Sequence, residues 1–149
     1  MGLLEQIPQD LKDALRNKKK LELSVLRMLQ SALKNKEIDK NKEALTDEDV
    51  IGVVGAEIKK RRDAAKEFEK VNRPDAAEQE KAEIQILMKY MPEQMGEDEI
   101  REIVKKAVQE TGAEGMKDIG KVMKVLMPEV KGKADGSVVN TIVRQELGE

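Results

Sequence analysis

The candidate functional residues of this sequence are lysines and arginines at helical spacing. Side chains of this type at this spacing could bind phosphate groups. The 149 residues contain neither cysteine nor histidine, which removes thiolate nucleophiles, imidazole bases and the usual zinc or haem ligands. No glycine-rich phosphate loop or nucleophile elbow is present. Carboxylates are abundant, but catalysis requires burial that shifts a pKa, and no pattern indicates such burial. The sequence therefore predicts binding without catalysis, metal or cofactor.

The clearest set of candidate phosphate ligands lies towards the C-terminus. Residues 115–137 contain five lysines and three acidic residues. Three of the lysines share one arc of a predicted helix. The other two precede the predicted start of the last helix, where free N–H groups and the helix dipole favour anions. The candidate residues are Lys117, Lys121, Lys124, Lys131, Lys133, Gly136 and Ser137. An ordinary solvated helix face is the equally open alternative.

A second basic surface lies on the predicted third helix. Advancing about 100° per residue places five basic side chains within roughly a quarter of the helix circumference. They are Lys59, Arg62, Lys66, Lys70 and Arg73. This stripe could follow a phosphate backbone, although the nearby Asp63 and Glu69 favour an ordinary solvated face. Arg61 lies instead among apolar positions, where a cation is costly, so we expect it to pair with an acid across a helix or domain contact.

Helices are the elements that must position these side chains. Only Phe68 and Tyr90 are aromatic, and apolar residues recur at three- and four-residue spacing. The predicted fold class is all-α, in a two-lobed protein whose four-helix N-terminal domain, residues 1–92, precedes a small three-helix domain, residues 96–149. Residues 92–96 are the predicted linker, because a proline ends one helix and a glycine precedes the acidic first turn of the next.

Caps and helix breakers set the predicted helix limits. Thr46 and Asp49 have the spacing of a capping box, and Asp135 is the predicted N-cap of the last helix. Helices should end near Asn72, Pro92, Gly112 and Pro128. The positions predicted to face inward include Leu3, Leu4, Ile7, Leu11 and Leu15 in the first helix, Leu21, Val25, Leu26, Leu29 and Leu33 in the second, and Val138, Val139, Ile142, Val143 and Leu147 in the last. Methionines such as Met28 are predicted to fill the cores.

Charge and hydropathy limit the kinds of partner and the cellular location that we expect. Residues 1–92 carry 19 basic and 18 acidic groups, and residues 93–149 carry 9 and 12, so a nucleic-acid surface would have to be a local patch. The first ten residues include acidic and amide side chains, unlike a signal peptide. No stretch approaches the roughly 18 apolar residues that a membrane span needs. We therefore expect a cytoplasmic protein with no membrane partner.

Five contiguous motifs of the sequence together form a recognisable signature. The sequence IKKRRDAA occupies residues 58–65, NRP occupies residues 72–74, and YMPEQM occupies residues 90–95. Towards the C-terminus, GKVMK occupies residues 120–124 and KGKADG occupies residues 131–136. This signature resembles that of the GatB/YqeY family. The similarity extends over nearly the whole chain, and on these motifs the sequence is identified as a member of that family.

The resemblance implies two all-helical lobes similar to the C-terminal tail of the B subunit of tRNA-dependent glutamyl/aspartyl amidotransferase. In that enzyme the tail contacts tRNA, while a separate module binds ATP and magnesium and performs the amidation. The resemblance therefore implies a tRNA-associated accessory protein, linked to a carbon–nitrogen ligase that uses glutamine as amido-nitrogen donor but lacking its catalytic module. An adaptor that docks on amidotransferase or aminoacyl-tRNA synthetase subunits is the open alternative.

Overall fold

Seven α-helices and no strand make up the regular structure of residues 2–148, the part of the chain that the computed structural model describes. The helices are α1 (Leu3–Arg16), α2 (Lys20–Asp39), α3 (Asp47–Lys70), α4 (Pro74–Met88), α5 (Glu97–Thr111), α6 (Ile119–Val130) and α7 (Gly136–Glu146). A short 3₁₀ turn, Met116–Asp118, precedes α6. The all-α prediction is confirmed. None of these described helices is both long and apolar enough to cross a membrane.

The chain divides between Met91 and Pro92 into two compact units. We refer to them as the N-terminal unit, with α1–α4, and the C-terminal unit, with α5–α7. In the N-terminal unit α3 packs most extensively against α4, and α1 and α2 pack on this hairpin. Its core consists of apolar residues from all four helices and Tyr90: Ile7, Ala14, Val25, Leu26, Leu29, Leu33, Val50, Val54, Ile58, Ile84, Leu87 and Tyr90. Removing this apolar surface from water is what favours the four-helix arrangement.

The C-terminal unit has an entirely apolar core. Each of its three helices packs against the other two. α5 ends at Gly112, whose φ of 66° lies in the left-handed region that glycine adopts without strain. The buried residues are Ile100, Val104, Ala107, Val122, Leu126, Val130, Val139, Ile142, Val143 and Leu147. Each helix contributes one apolar stripe, as the sequence period requires.

Both predicted N-caps are present. Thr46 Oγ1 accepts a hydrogen bond from the Asp49 N–H at 3.1 Å, and Asp49 Oδ2 accepts one from the Thr46 N–H at 2.9 Å. Asp49 also pairs with Lys40 Nζ at 2.7 Å. The hydrogen bond from Lys40, together with that from the Thr46 backbone, lowers the pKa of Asp49 from 3.8 to about 2. At the other end of the chain, the Asp135 side chain caps α7.

Two helix ends differ from the sequence prediction. α4 was expected to end near Pro92 but ends at Met88, and turns follow it. α6 was expected to end near Pro128 but continues through it to Val130. Within a helix, Pro128 lacks the N–H donor for the carbonyl of Lys124, and its ring crowds that same carbonyl. The additional turn buries Val130, which is 1% exposed, and this burial favours continuing the helix.

Several apolar residues predicted to face inward are instead exposed. Leu15 is 55% exposed, Met28 is 50% exposed, and the others are Leu4, Leu21 and Val138. In α1 the positions that become buried are Ile7 and Ala14. The apolar arcs of α1 and α2 are wider than the surfaces their neighbours cover, so residues at the edge of each arc remain in water. The predictions for these five residues were therefore wrong.

Candidate nucleic-acid interface

The turn before α6 and α6 itself hold three of the candidate lysines. Val122, Leu126 and Val130 are buried on the core side of this helix, and Met123 and Met127 pack partly against the same core, so the lysines lie on the opposite, exposed face. Lys121 Nζ lies 3.8 Å from Asp118 Oδ1, a surface ion pair of the kind that contributes little. The exposed lysines of this segment are Lys117, Lys121 and Lys124. Their ammonium groups are accessible to an anion from solvent.

The loop between α6 and α7 presents Lys131 and Lys133 from a backbone that is held at several points. The Lys133 carbonyl accepts a hydrogen bond from the Met95 N–H at 2.8 Å. Gln94 Nε2 donates to the Gly132 carbonyl at 3.0 Å, and Gly132 has a left-handed φ of 78°. Both lysine side chains are exposed. The loop therefore offers two ammonium groups close to the start of α7.

The N-terminus of α7 is capped by a carboxylate of the chain itself. Asp135 Oδ1 accepts hydrogen bonds from the Ser137 N–H at 2.9 Å and from the Ser137 hydroxyl at 2.8 Å. Gly136 and Ser137 are both exposed. A phosphate approaching this helix start would meet the negative charge of Asp135 and donors that are already engaged. An anion at this surface would therefore be held by the five lysines more than by the helix N-terminus.

The second predicted surface is more strongly neutralised, and the prediction that it lies on a single helix was wrong, because α3 ends at Lys70 and Arg73 is the N-cap residue of α4. Lys70 Nζ lies 3.1 Å from Glu67 Oε1. Arg73 Nε lies 3.5 Å from Asp75 Oδ1, and its guanidinium lies 5.9 Å from the centroid of the Phe68 ring. The hydrogen bond from Arg73 lowers the pKa of Asp75. The remaining members are the exposed Lys59 and Lys66 and the half-buried Arg62. This stripe lies in the N-terminal unit, whereas the seven C-terminal candidates all lie in the other.

Arg61 is buried, as its position in the apolar arc predicted, and it pairs with acids on two helices. Its Nη1 lies 3.6 Å from Glu57 Oε1 and donates to the Glu57 carbonyl at 3.1 Å. Its Nε donates to Glu83 Oε1 of α4 at 3.4 Å. Met28 Sδ of α2 accepts from Nη2 at 3.7 Å. One guanidinium thus connects three helices, and we refer to Arg61, Glu57 and Glu83 as the buried ion cluster.

Sequence spacing identifies only part of the buried ion cluster. Glu57 precedes Arg61 by four residues, so helical spacing alone marks it as a possible partner. Glu83 is 22 residues away on another helix, and only packing brings it into contact. Nearby, burial raises the pKa of Glu80, and the charge of Glu83 raises it further. Among residues 2–148, no group of three or more acidic side chains is arranged to hold a metal ion.

A cleft of about 340 Å³ lies in the N-terminal unit between α1, α2 and the end of α4. The buried Tyr90 hydroxyl donates to Asp10 Oδ2 at 2.6 Å, and Lys89 Nζ lies 3.1 Å from the same oxygen. Burial, together with the hydrogen bond to Asp10, raises the pKa of Tyr90. Tyr90 therefore stays protonated and ties the end of α4 to α1. The sequence motif that contains this tyrosine does not reveal the role, because Asp10 lies 80 residues away.

A comparison with protein families decides what the chain is. The model of the YqeY-like protein family matches residues 4–147. The chain belongs to the YqeY-like family. This is the family of the tail domain of the amidotransferase B subunit, so the resemblance read from the motifs is confirmed. The match includes all seven helices and every candidate lysine.

Curated relatives of the chain carry the name altered inheritance of mitochondria protein 41, mitochondrial. The one from Pyrenophora tritici-repentis is 32% identical over 98% of this chain and 81% of its own length. Those from Clavispora lusitaniae and Candida glabrata are 38% and 34% identical over 60% and 62% of this chain. The chain spans 52% and 51% of the length of these two relatives.

These names correct the expected location. The prediction of a cytoplasmic protein was wrong, because the YqeY-like relatives are named as mitochondrial proteins. The prediction came from the acidic and amide residues among the first ten and from the absence of an apolar stretch long enough to span a membrane. Neither property distinguishes the cytosol from the interior of a mitochondrion, since a helical protein with both properties meets no physical obstacle in either.

Proposed function

We propose that this YqeY-like protein is a tRNA-associated accessory protein that holds the phosphate backbone of a folded RNA on its C-terminal unit. The observation that carries the proposal is the group of five exposed lysines between the 3₁₀ turn and α7. They are Lys117, Lys121, Lys124, Lys131 and Lys133, with Gly136 and Ser137 completing the surface. The family relationship to the tRNA-contacting tail of an amidotransferase subunit also supports RNA binding at this surface.

The contrast between local and net charge also supports this proposal. The C-terminal unit is acidic as a whole, yet residues 115–137 carry two more basic than acidic groups. Non-specific attraction to any polyanion would need a basic unit. A local patch on an acidic unit instead favours RNA that fits its shape, and the near absence of aromatic residues disfavours base stacking. The contacts should therefore be to the backbone of folded RNA.

The protein acts in this proposal without chemistry of its own. The family link is to a carbon–nitrogen ligase that uses glutamine as nitrogen donor, and amidation there belongs to a separate module. The chain has no histidine or cysteine, and the acids of the buried ion cluster are engaged by Arg61. Purified protein with ATP, glutamine and misacylated tRNA should form no amidated product. Turnover abolished by replacing a single carboxylate would contradict this proposal.

A salt series of tRNA binding tests the proposed surface. Replacing Lys121, Lys124, Lys131 and Lys133 with glutamine should leave the helices folded, because all four are exposed. Binding should weaken, and the slope of log affinity against log salt should flatten by roughly one unit for each phosphate that the variant no longer neutralises. Fluorescence anisotropy with labelled tRNA at several salt concentrations measures both quantities.

The matched control uses the basic stripe of α3. Replacing Lys59, Lys66 and Lys70 with glutamine removes three exposed lysines from the N-terminal unit. We expect a smaller change, because Lys70 is already paired with Glu67. Loss of binding in this variant, with no change in the C-terminal variant, would move the site to α3. If neither variant changes the affinity or the slope, the phosphate-binding proposal is wrong.

The second candidate function is that of an adaptor that docks on amidotransferase or aminoacyl-tRNA synthetase subunits. It is favoured by the exposed apolar residues of the N-terminal unit, of which Leu15 and Met28 are at least half exposed. Exposed apolar side chains supply the surface that protein contacts bury. An adaptor predicts no salt-dependent tRNA binding by the isolated protein, so the same salt series separates the two functions.

A further inference from the structure

The outer face of α2 carries an uncharged row along its whole length. The row repeats with alternating spacings of three and four residues, which is the spacing of the contact seam in a coiled coil. Its members are Leu21, Ser24, Met28, Ser31, Asn35 and Ile38, and all six are exposed. We refer to them as the outer row. The opposite side of α2 is already used, because Val25, Leu26, Leu29 and Leu33 are buried in the core.

The outer row differs from an ordinary solvated helix face. Of its apolar members, Met28 is 50% exposed and Ile38 is 59% exposed. Sequences this rich in charge normally place charged residues on such a face. The Met28 sulfur accepts a hydrogen bond from buried Arg61 at 3.7 Å, so the centre of the row is anchored to α3. An exposed, anchored and uncharged seam of about 26 Å is suited to a partner helix.

A basic row borders the outer row on one side. Lys20, Arg27 and Lys34 are exposed and follow one another at seven-residue intervals, so they occupy one edge of the seam. Among residues 2–148, none of the three forms an ion pair. The acidic residues Glu22 and Glu37 lie on other parts of the helix circumference, and Asp39 follows the last member of the row. The seam therefore has a positive edge of uniform sign.

This charge pattern selects the occupant. Two copies of the chain that paired antiparallel through α2 would bring Arg27 against Arg27 and Lys20 against Lys34. Like charges at the edge of a helix pair oppose association. A helix with glutamate or aspartate beside its apolar row would instead meet opposite charge along the full seam. The uniform sign thus argues against antiparallel self-association and for an acidic partner.

We propose that the outer face of α2 is a docking surface for an amphipathic helix of another protein whose apolar row is flanked by acidic residues. The apolar members of the outer row pack between the side chains of the partner helix. Lys20, Arg27 and Lys34 pair with its acidic edge and set its register. This surface lies in the N-terminal unit and does not depend on the RNA surface of the C-terminal unit.

A designed peptide provides the direct test with the full-length protein. The probe is a helical peptide of about 21 residues with leucine at the two seam positions of each heptad and glutamate at the flanking positions, whose like charges keep it from self-associating. One control peptide replaces the glutamates with lysines, and another replaces the leucines with serines. Fluorescence anisotropy should show saturable binding of the acidic probe and at least about tenfold weaker binding of both controls.

Variants of the protein locate the binding. The substitutions Ser24→Glu and Ser31→Glu place negative charges in the seam. They should weaken binding of the acidic probe at least about tenfold, because the new carboxylates repel the probe and are costly to bury. Reversing the edge with Arg27→Glu and Lys34→Glu should exchange the preference, so that the lysine-flanked peptide binds better. The control variant Lys12→Glu with Lys105→Glu reverses two charges at exposed sites on α1 and α5 and should leave affinity unchanged. Circular dichroism checks that each variant keeps its helices.

Other outcomes would overturn the proposal. Absence of binding by the wild-type protein, or equal weakening by the control variant, would show that α2 offers no specific surface. Sedimentation that shows a dimer abolished by Ser24→Glu and Ser31→Glu would assign the face to a second copy of the chain. Loss of tRNA binding in the Arg27→Glu, Lys34→Glu variant, with no effect on the peptide, would assign it to RNA.

Discussion

The two units of this YqeY-like protein form their cores from different chemistry. The N-terminal unit includes a buried guanidinium, held by Glu57 and Glu83, in addition to its apolar residues. The C-terminal unit, from Pro92 onward, relies on ten buried apolar residues from three short helices. A small unit buries a smaller share of its surface and has less stability to lose. The buried charged residues therefore lie in the unit with the larger core, whose apolar burial can offset the cost of removing those charges from water.

The two units also differ in net charge. The N-terminal unit is nearly neutral and the C-terminal unit is acidic. The lysines proposed to contact RNA nevertheless lie in the acidic unit, whereas Lys60, Arg61 and Lys70 of α3 are paired with neighbouring acids. The arrangement of charges, more than their sum, therefore distinguishes the two surfaces.

Removal of Arg61 should have a large effect that is confined to the N-terminal unit. Arg61→Met leaves the partly buried Glu83 without this counter-ion and leaves Glu57 with the exposed Lys60, whose Nζ lies 3.2 Å from Glu57 Oε2. This should cost about 3 kcal/mol of unfolding free energy, the lower end of the usual penalty for breaking a buried ion pair. Denaturant unfolding measures the loss, and hydrogen exchange shows in which unit it falls. Adding Glu57→Gln and Glu83→Gln should restore much of the stability. A loss below about 1 kcal/mol would mean that the cluster is not a major stabilising feature.

Truncation of Leu126 gives the matching test in the C-terminal unit. This residue is fully buried in the apolar core. Leu126→Ala should cost about 3 kcal/mol through lost transfer energy and the cavity left behind. Amide hydrogen exchange in α5–α7 should accelerate, while the amides of α1–α4 should remain protected. Equal acceleration in both units would show that they unfold together, and the comparison between them would then lose its energetic basis.

The capping box of α3 should have a moderate effect with a defined pH dependence. Thr46→Ala removes one cap hydrogen bond and should cost about 1 kcal/mol. The pKa of Asp49 is lowered in the folded state from 3.8 to about 2, so the folded state favours the ionised form. Its contribution is therefore present above pH 3.8 and is lost as the pH falls towards 2. The stability difference between wild type and Asp49→Asn, measured across this range, should shrink in acid. A constant difference would contradict this assignment.

The smallest expected effect compares two left-handed residues, one in each unit. Gly112 has a φ of 66°, and a methyl group added to its α-carbon would meet no atom within 4 Å, so Gly112→Ala should cost about 1 kcal/mol from backbone strain alone. Asn72 has a φ of 58° in the N-terminal unit. Asn72→Gly should be close to neutral, because glycine adopts this conformation readily. Thermal unfolding of both variants measures the difference, and a destabilising Asn72→Gly would indicate an additional role for the asparagine side chain.

Helix type, caps and much of the core could be predicted from local pattern alone. The capping box of Thr46 and Asp49, the Asp135 cap and the buried stripe Val25, Leu26, Leu29 and Leu33 all follow from residues within one or two turns of each other. Local interactions of this kind depend only on sequence spacing. The family could be recognised for the same reason, because its motifs are contiguous.

The candidate site could be predicted only in part. The lysines from Lys117 to Lys133 are exposed, as an amphipathic helix and a loop require. The sequence suggested a free helix N-terminus at Gly136 and Ser137, but the Asp135 carboxylate engages the Ser137 donors. Asp135 was correctly predicted as the cap, and the consequence for an incoming anion became clear only from the geometry.

The sequence by itself determined that the chain is helical, where most helices begin and end, and that Arg61 needs an acidic partner. Only the tertiary structure decided that Glu83 is one of the acidic partners of Arg61. It also decided that Tyr90 donates a hydrogen bond to Asp10, 80 residues away, and that Leu15 and Met28 remain exposed to water. The physical reason is that periodicity reports which side of a helix is apolar. How much of that side is covered depends on the neighbours that pack against it, and those neighbours come from parts of the chain far apart in sequence.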